Sequence, residues 1–325
     1  MGFPAPAASE SESALPDRSR PTPLADALAP RDRRFRHVTF VDTPHRRRQV
    51  ADLSVPLLRR EDRREGSPIS GAGTEFIRWL FGQVGLDIDR YRPDTLARRL
   101  PACLRLLNAA SPGDARHAIE ARPALLEAAA DTMLIGVTSF FRDPFVYALL
   151  AERVVPTLLA ERGGIAVWSV GCSDGAELYS FAMLLDECGV LGKSYLAGTD
   201  CRLGAVRRAR AGFFEAGTLG GLDPNRRRRY LAADGDRFRV CKELRQAVRW
   251  WVGDIFEVPQ IGAWDLVVCR NLSIYLQAEA AELLWSRLGT TVRRGGVLVT
   301  GKAERPALAG FVQIAPCLHV RERPW

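Results

Sequence analysis

Three short blocks carry side chains able to do chemistry, each at the end of an apolar run. The first is Gly171-Cys-Ser-Asp-Gly175, directly after the apolar run 165–170. Glycines there let the backbone approach a bound molecule closely. The second is Asp200, which ends the run 195–199 and lies 25 residues after Gly175. An acidic side chain in that place can accept two hydrogen bonds from a ribose diol. The third is Gly253-Asp254-Ile255, after the run 249–252. An acid there can meet an adenine amino group. A single Asp of this kind is an ordinary cap or turn residue. Three polar stations at successive strand ends, in this order, point to an adenosine-bearing cofactor.

Gly171-x-Ser173-x-Gly175 also satisfies the nucleophile elbow of α/β serine hydrolases. That reading makes Ser173 the nucleophile and needs a late histidine, for which only His319 qualifies. It leaves Asp200 and the block Thr138-Ser-Phe-Phe-Arg142 without a role.

The elements that must position these residues follow from periodicity. Residues 165–170, 195–200, 265–269 and 296–300 read as buried strands, alternating with helices near 176–188, 202–211 and 277–289. Such alternation predicts a parallel, doubly wound α/β sheet. The segment 310–321 is expected to add an antiparallel pair at the sheet edge. A long amphipathic helix is expected over 144–161. Before it, 74–135 reads as a small helical domain. One of its helices (94–107) should expose Arg98, Arg99 and Arg105, with Asp94 as its N-cap and Pro101 as a possible kink. Residues 136–325 form the second domain. The stretch from about 213 to 252 is Arg-rich and then alternating (Phe238, Val240; Val248, Trp250), which predicts a small β insertion. Residues 1–72 are rich in Pro, Ala, Ser, Arg and Asp with few apolar positions, and read as a disordered tail.

Composition narrows the function further. The chain has 325 residues with 46 basic and 38 acidic side chains, a net charge of +8. Only Lys193, Lys242 and Lys302 are lysines, so the basic side chains are nearly all Arg forks, which suit carboxylate or phosphate partners. Acidic residues interleave the basic clusters of the tail, so nucleic acid is not the expected partner. Seven scattered cysteines form no CxxC pair, and the four histidines lie far apart. No structural metal is expected, and a reducing cytoplasm is. The first residues lack a basic and an apolar signal region, and no run approaches the ~18 apolar residues of a membrane span.

These motifs resemble the CheR-type chemotaxis receptor methyltransferases, which use S-adenosylmethionine. The resemblance covers roughly residues 74–320. It rests on Thr138-x-Phe140-Phe141-Arg142 and on Cys269-Arg270-Asn271-x-x-Ile274-Tyr275. It is supported by Ser173-Asp-Gly-Ala-Glu177-Leu-Tyr179-Ser180 and Gly301-Lys-Ala-Glu304. The resemblance implies a Rossmann-like methyltransferase sheet with a helical N-terminal domain and a β insertion. It implies S-adenosyl-L-methionine as cofactor and S-adenosyl-L-homocysteine as product. Thr138, Arg142 and Glu177 would lie at the methionine end, Asp200 at the ribose, and Asp254 and Ile255 at the adenine. Arg270 and Asn271 would close the pocket. Arg142 and Tyr275 would serve catalysis, with Tyr275 lining the acceptor site. The implied reaction converts glutamate side chains of a methyl-accepting chemoreceptor, or a similar signalling protein with acidic helices, to methyl esters. Arg98, Arg99 and Arg105 would steer those helices. A cofactor-binding adaptor without turnover is the alternative reading. The chain departs from the family pattern at Gly136 (commonly Asn), Asp174, Ala176, Asp254 (commonly Asn) and Lys302-Ala303.

Overall fold

The run Ala-Val-Trp-Ser-Val is buried at every position, so its strand must be covered on both faces and flanked on both sides. In the computed structural model, which describes residues 71–134, 136, 138–258 and 262–322, that strand is β1 (Ala166–Val170) and it is central. β2 (Tyr195–Asp200) and then β6 (Val248–Val252) lie on one side of it. β7 (Trp264–Cys269) and β8 (Val292–Thr300) lie on the other. All four pairings are parallel. Successive strands are thus added first to one side of β1 and then to the other, and this switch between β1 and β7 opens a crevice beyond their C-terminal ends. The hairpin β9 (Phe311–Ala315) and β10 (Leu318–Arg321) completes seven strands, β10 pairing antiparallel with β8 and β9 taking the edge.

The crossover helices α7 (Ala176–Glu187), α8 (Leu203–Ala211) and α11 (Ala278–Thr291) each start just beyond the loops at these strand tips. The long helix expected from 144 is divided: α5 (Pro144–Leu149) passes through a π-helical turn at Leu150–Val154 into α6 (Val155–Arg162). Under the sheet's other end, Trp168 and Tyr195 both stack on Trp264, with ring centroids 5.7 and 5.8 Å apart.

Ahead of α5, the described residues form α1 (Gly71–Gln83), α2 (Pro93–Leu106), α3 (Pro112–Ala121) and α4 (Leu125–Met133). Gly71 and Ala72 belong to α1, so the helical segment starts earlier than expected. The rest of the expected tail lies outside the described residues. The cap of α2 is Arg92; Asp94 sits in its first turn and pairs with Arg98 at 3.2 Å. The β insertion is a three-stranded antiparallel sheet of β3 (Phe213–Glu215), β5 (Arg237–Val240) and β4 (Leu231–Asp234), with α9 (Pro224–Tyr230). It ends sooner than the expected 252. After α10 (Lys242–Ala247), Val248 and Trp250 lie on β6, where alternation reflects a sheet-edge strand paired with β2. Among the described residues no helix is long and apolar enough to cross a membrane.

Gly175 ends the turn after β1 with φ +90°, and a Cβ there would lie 2.5 Å from Trp250 and 3.0 Å from Ala209. Both the left-handed backbone and the close packing demand glycine. Gly175→Ala is expected to lower stability by about 2–4 kcal/mol in urea unfolding. A loss below about 0.5 kcal/mol, the size of an ordinary surface change, would show that the turn relaxes freely.

Candidate active site

The block Thr138–Asp143 is fixed by its two phenylalanines. Phe140 and Phe141 are both buried, Phe140 edge-on to Phe214 at 4.7 Å. The Phe141 N–H donates to Ser180 Oγ on α7 at 3.0 Å. With these rings inside the core, Thr138 and Arg142 line the cavity beyond β1 and β7.

Each acidic side chain at the strand tips is matched by an arginine. Glu177, in the first turn of α7, accepts from Ser169 Oγ at 2.9 Å and pairs with Arg270 Nη1 at 3.3 Å. Burial raises its pKa; Arg270, Ser169 and Arg142 oppose that rise. Asp200 accepts from the Ser173 N–H at 2.8 Å and the Arg202 N–H at 2.9 Å, and from Arg202 Nε and Nη2 at 3.0 and 3.2 Å. Asp254 accepts from the Phe256 N–H at 3.0 Å and pairs with Arg90 Nη1 at 3.1 Å. Burial raises the Asp254 pKa as well, with the Phe256 N–H and Arg90 opposing. The Arg90 guanidinium also lies 4.6 Å over the Phe256 ring.

The segment 270–275 is shaped from below by one carboxylate. Glu304, buried after β8, accepts from the backbone N–H groups of Gly301, Asn271, Leu272 and Ser273 and from the Ser273 hydroxyl, at 2.6 to 3.0 Å. Asn271 is held there with φ +59°. Arg270 turns the other way, pairing with both Glu177 and Asp143, and its buried Nε has no hydrogen-bond partner among the described residues. Asp143 also pairs with Lys302 at 2.7 Å. Burial alone would raise the Asp143 pKa, but Lys302, Arg270 and Arg142 together hold it below its ordinary value. Tyr275 ends the same segment, and burial raises its pKa against the nearby Arg142 and Arg99, so its hydroxyl remains protonated. Its carbonyl accepts from the Arg92 N–H at 2.9 Å, and the Gln277 N–H donates to the Arg90 carbonyl at 2.9 Å. This short clasp ties the segment to the N-terminal helices.

The result is one cavity of about 390 Å³. It brings together Thr138, Arg142, Glu177, Asp200, Asp254, Ile255, Arg270, Asn271 and Tyr275. Arg98, Arg99 and Arg105 are not among its lining residues. Arg98 and Arg105 are exposed on α2, but Arg99 is not on that face. Its Nε donates to the Thr132 carbonyl at 2.9 Å and pins α2 to α4, so the expected basic triad is a pair. Sequence reasoning missed Arg90 and Arg202. Arg202 carried a local signal, a basic residue two places after the strand-tip acid; Arg90 carried none.

Ser173 has φ +52°, as an elbow nucleophile would, but its hydroxyl donates to the Gly136 carbonyl at 3.0 Å. His319 sits on β10, with its ring 3.4 Å from Thr300 Oγ1. The two do not form a nucleophile–base pair.

Comparison with known proteins decides the family. A family model described as "CheR methyltransferase, SAM binding domain" matches residues 136–312. The chain belongs to the CheR methyltransferase family. It is 29% identical over 231 residues to a chemotaxis protein methyltransferase of Listeria innocua, covering 71% of this chain and 88% of that one. It is 32% identical over 194 residues to chemotaxis protein methyltransferase 1 of Pseudomonas aeruginosa, covering 56% and 71%. A chemotaxis protein methyltransferase of Vibrio parahaemolyticus is 29% identical over 240 residues, covering 71% and 87%.

The cofactor of this CheR family domain is S-adenosyl-L-methionine. The cavity fits it chemically. Cationic donors (Arg142, Arg270) stand at one part of the wall, including the unpartnered Arg270 Nε, and apolar Ile255, Phe256 and Leu96 stand at another. A zwitterionic group joined to a flat heteroaromatic base needs both.

Glu304 is the support beneath 271–273. Glu304→Gln replaces an acceptor by an NH₂ group that opposes two or more of those N–H donors. Stability is expected to fall by about 2–4 kcal/mol, with faster hydrogen exchange at the Leu272 and Ser273 amides. Unchanged exchange at both amides would refute this role.

Proposed function

We propose that this chain is a protein-glutamate O-methyltransferase acting on a methyl-accepting chemoreceptor or a similar signalling protein with acidic helices. The observation that carries the reading is the single cavity that unites the Thr138–Arg142 block, three strand-tip acids and the Arg270–Tyr275 segment. The names of the relatives support the chemotaxis setting.

When bound, S-adenosylmethionine supplies a methyl group already activated on a sulfonium sulfur. The acceptor is a glutamate with an ordinary pKa near ~4.3, ionised at neutral pH, so the chain need not provide a general base. Its residues instead hold, orient and exclude water. Arg142, which lines the cavity with Glu177 and Tyr275, would hold a carboxylate. Arg270 neutralises Glu177 and Asp143, which keeps the methionine end from repelling an incoming acid. Tyr275, kept protonated, offers its hydroxyl to the acceptor. Asp200 with Arg202 marks the ribose station, and Asp254 with Ile255 and Phe256 the adenine station. Thr138 and Asn271 complete the wall. Arg98 and Arg105 present an exposed basic face on α2 for an acidic helix.

Titration with S-adenosylhomocysteine tests the cofactor site, and absence of heat at high micromolar ligand would sink the reading. Transfer of tritiated methyl to a receptor fragment, released by base as methanol, tests the reaction. Arg142→Ala is expected to lower kcat/KM about 100-fold or more, and Tyr275→Phe about tenfold. Arg98→Glu with Arg105→Glu should raise the KM for the receptor fragment and flatten its salt dependence, while cofactor affinity stays unchanged. An unaltered salt dependence would place the docking surface elsewhere.

A further inference from the structure

Asp200 has no room left for another donor. A carboxylate offers about four lone-pair positions, and Ser173 and Arg202 donate four hydrogen bonds to it. Arg202 itself is 9% exposed, deep in the cavity wall. Its Nε and Nη2 are committed to Asp200, whereas Nη1 has no hydrogen-bond partner among the described residues. The guanidinium lies where a side chain at position 136 would stand. A Cβ built on Gly136 would be 1.9 Å from Nη1, 2.4 Å from Nη2 and 2.5 Å from Cζ. Gly136 lines the same cavity. The chain therefore spends a glycine to admit a buried, partly uncommitted cation.

We infer that Arg202 as a donor, rather than Asp200 as an acceptor, makes the side-chain hydrogen bond to the cofactor at this strand tip, with Nη1 donating to a cofactor oxygen and Gly136 making its space. The inference rests on the cofactor reading above and deepens it. Asp200 then acts through Arg202, fixing the planar fork so that its third corner faces the cleft. The acceptor oxygen is a ribose hydroxyl or the amino-acid carboxylate, both of which an Arg donor suits.

The test is calorimetric titration of the full chain with S-adenosylhomocysteine, run on the parent, Arg202→Ala, Gly136→Ala and the double variant. Arg202→Ala is expected to weaken binding about tenfold or more, the scale of one charge-assisted hydrogen bond. Gly136→Ala forces the whole guanidinium, including the Nη2 bonded to Asp200, to shift, so it should melt somewhat below the parent but still fold, and lose affinity comparably. In the double variant the losses should not multiply, because both act through one guanidinium. If Arg202→Ala does not fold, Gly136→Ala decides alone. Repetition with 5′-methylthioadenosine, which lacks the carboxylate, assigns the oxygen: a loss kept there means the ribose, and a loss confined to S-adenosylhomocysteine means the carboxylate. Parent-like affinity in Arg202→Ala or Gly136→Ala, or multiplying losses in the double variant, overturns the inference. A parent that binds neither ligand instead refutes the proposed function, and this inference with it.

Discussion

Carboxylates buried or half-buried in the cleft stay charged where each has a counter-charge and donors of its own. Most of the local architecture follows from that requirement. Glu177 has Arg270, Asp200 has Arg202, Asp254 has Arg90, and Asp143 has Arg270 with Lys302. The partners come from four different regions: the N-terminal helices, the start of α8, the tip of β7 and the loop after β8. The cleft is thus a place where the chain's segments are fastened by charge as well as a hole between them. The departures from the family pattern also become intelligible in these terms. An acid at 254 is tolerable because Arg90 faces it, and Lys302 faces Asp143.

Strain is concentrated at the same place. Phe141, Asp143, Ser173 and Asn271 all have positive φ, and each flanks or lines the cavity. Such conformations are expensive for a non-glycine residue and persist where the surroundings over-determine them. Here the surroundings are identifiable. Ser180 holds the Phe141 N–H, Asp200 holds the Ser173 N–H, and Glu304 holds the Asn271 N–H.

What the sequence made legible was local. Mostly apolar runs marked β1, β2, β7 and β8 because parallel strands are buried on both faces. Acids at their ends marked the cleft because strand tips converge there. The partners were hidden because they are remote in the chain: Arg90 meets Asp254 across 164 residues, and Glu304 reaches 271–273 across 31 to 33. No periodicity reports such a distance. The boundary of the β insertion was misread for a related reason. Alternation at Val248 and Trp250 is the same whether a strand joins a small hairpin or the edge of the main sheet, and only pairing with β2 distinguishes them. Helical phase alone does not say that the Thr132 carbonyl lies within reach of Arg99.

The carboxylate of Glu304 has a temporal consequence. It organises backbone that lies 31 to 33 residues earlier in the chain and leaves the ribosome before it. Until β8 has joined the sheet and delivered this side chain, the loop carrying Arg270 and Tyr275 has no template. The cleft therefore matures late during synthesis, and a nascent chain halted ahead of position 304 holds most of the sheet but no finished reaction chamber.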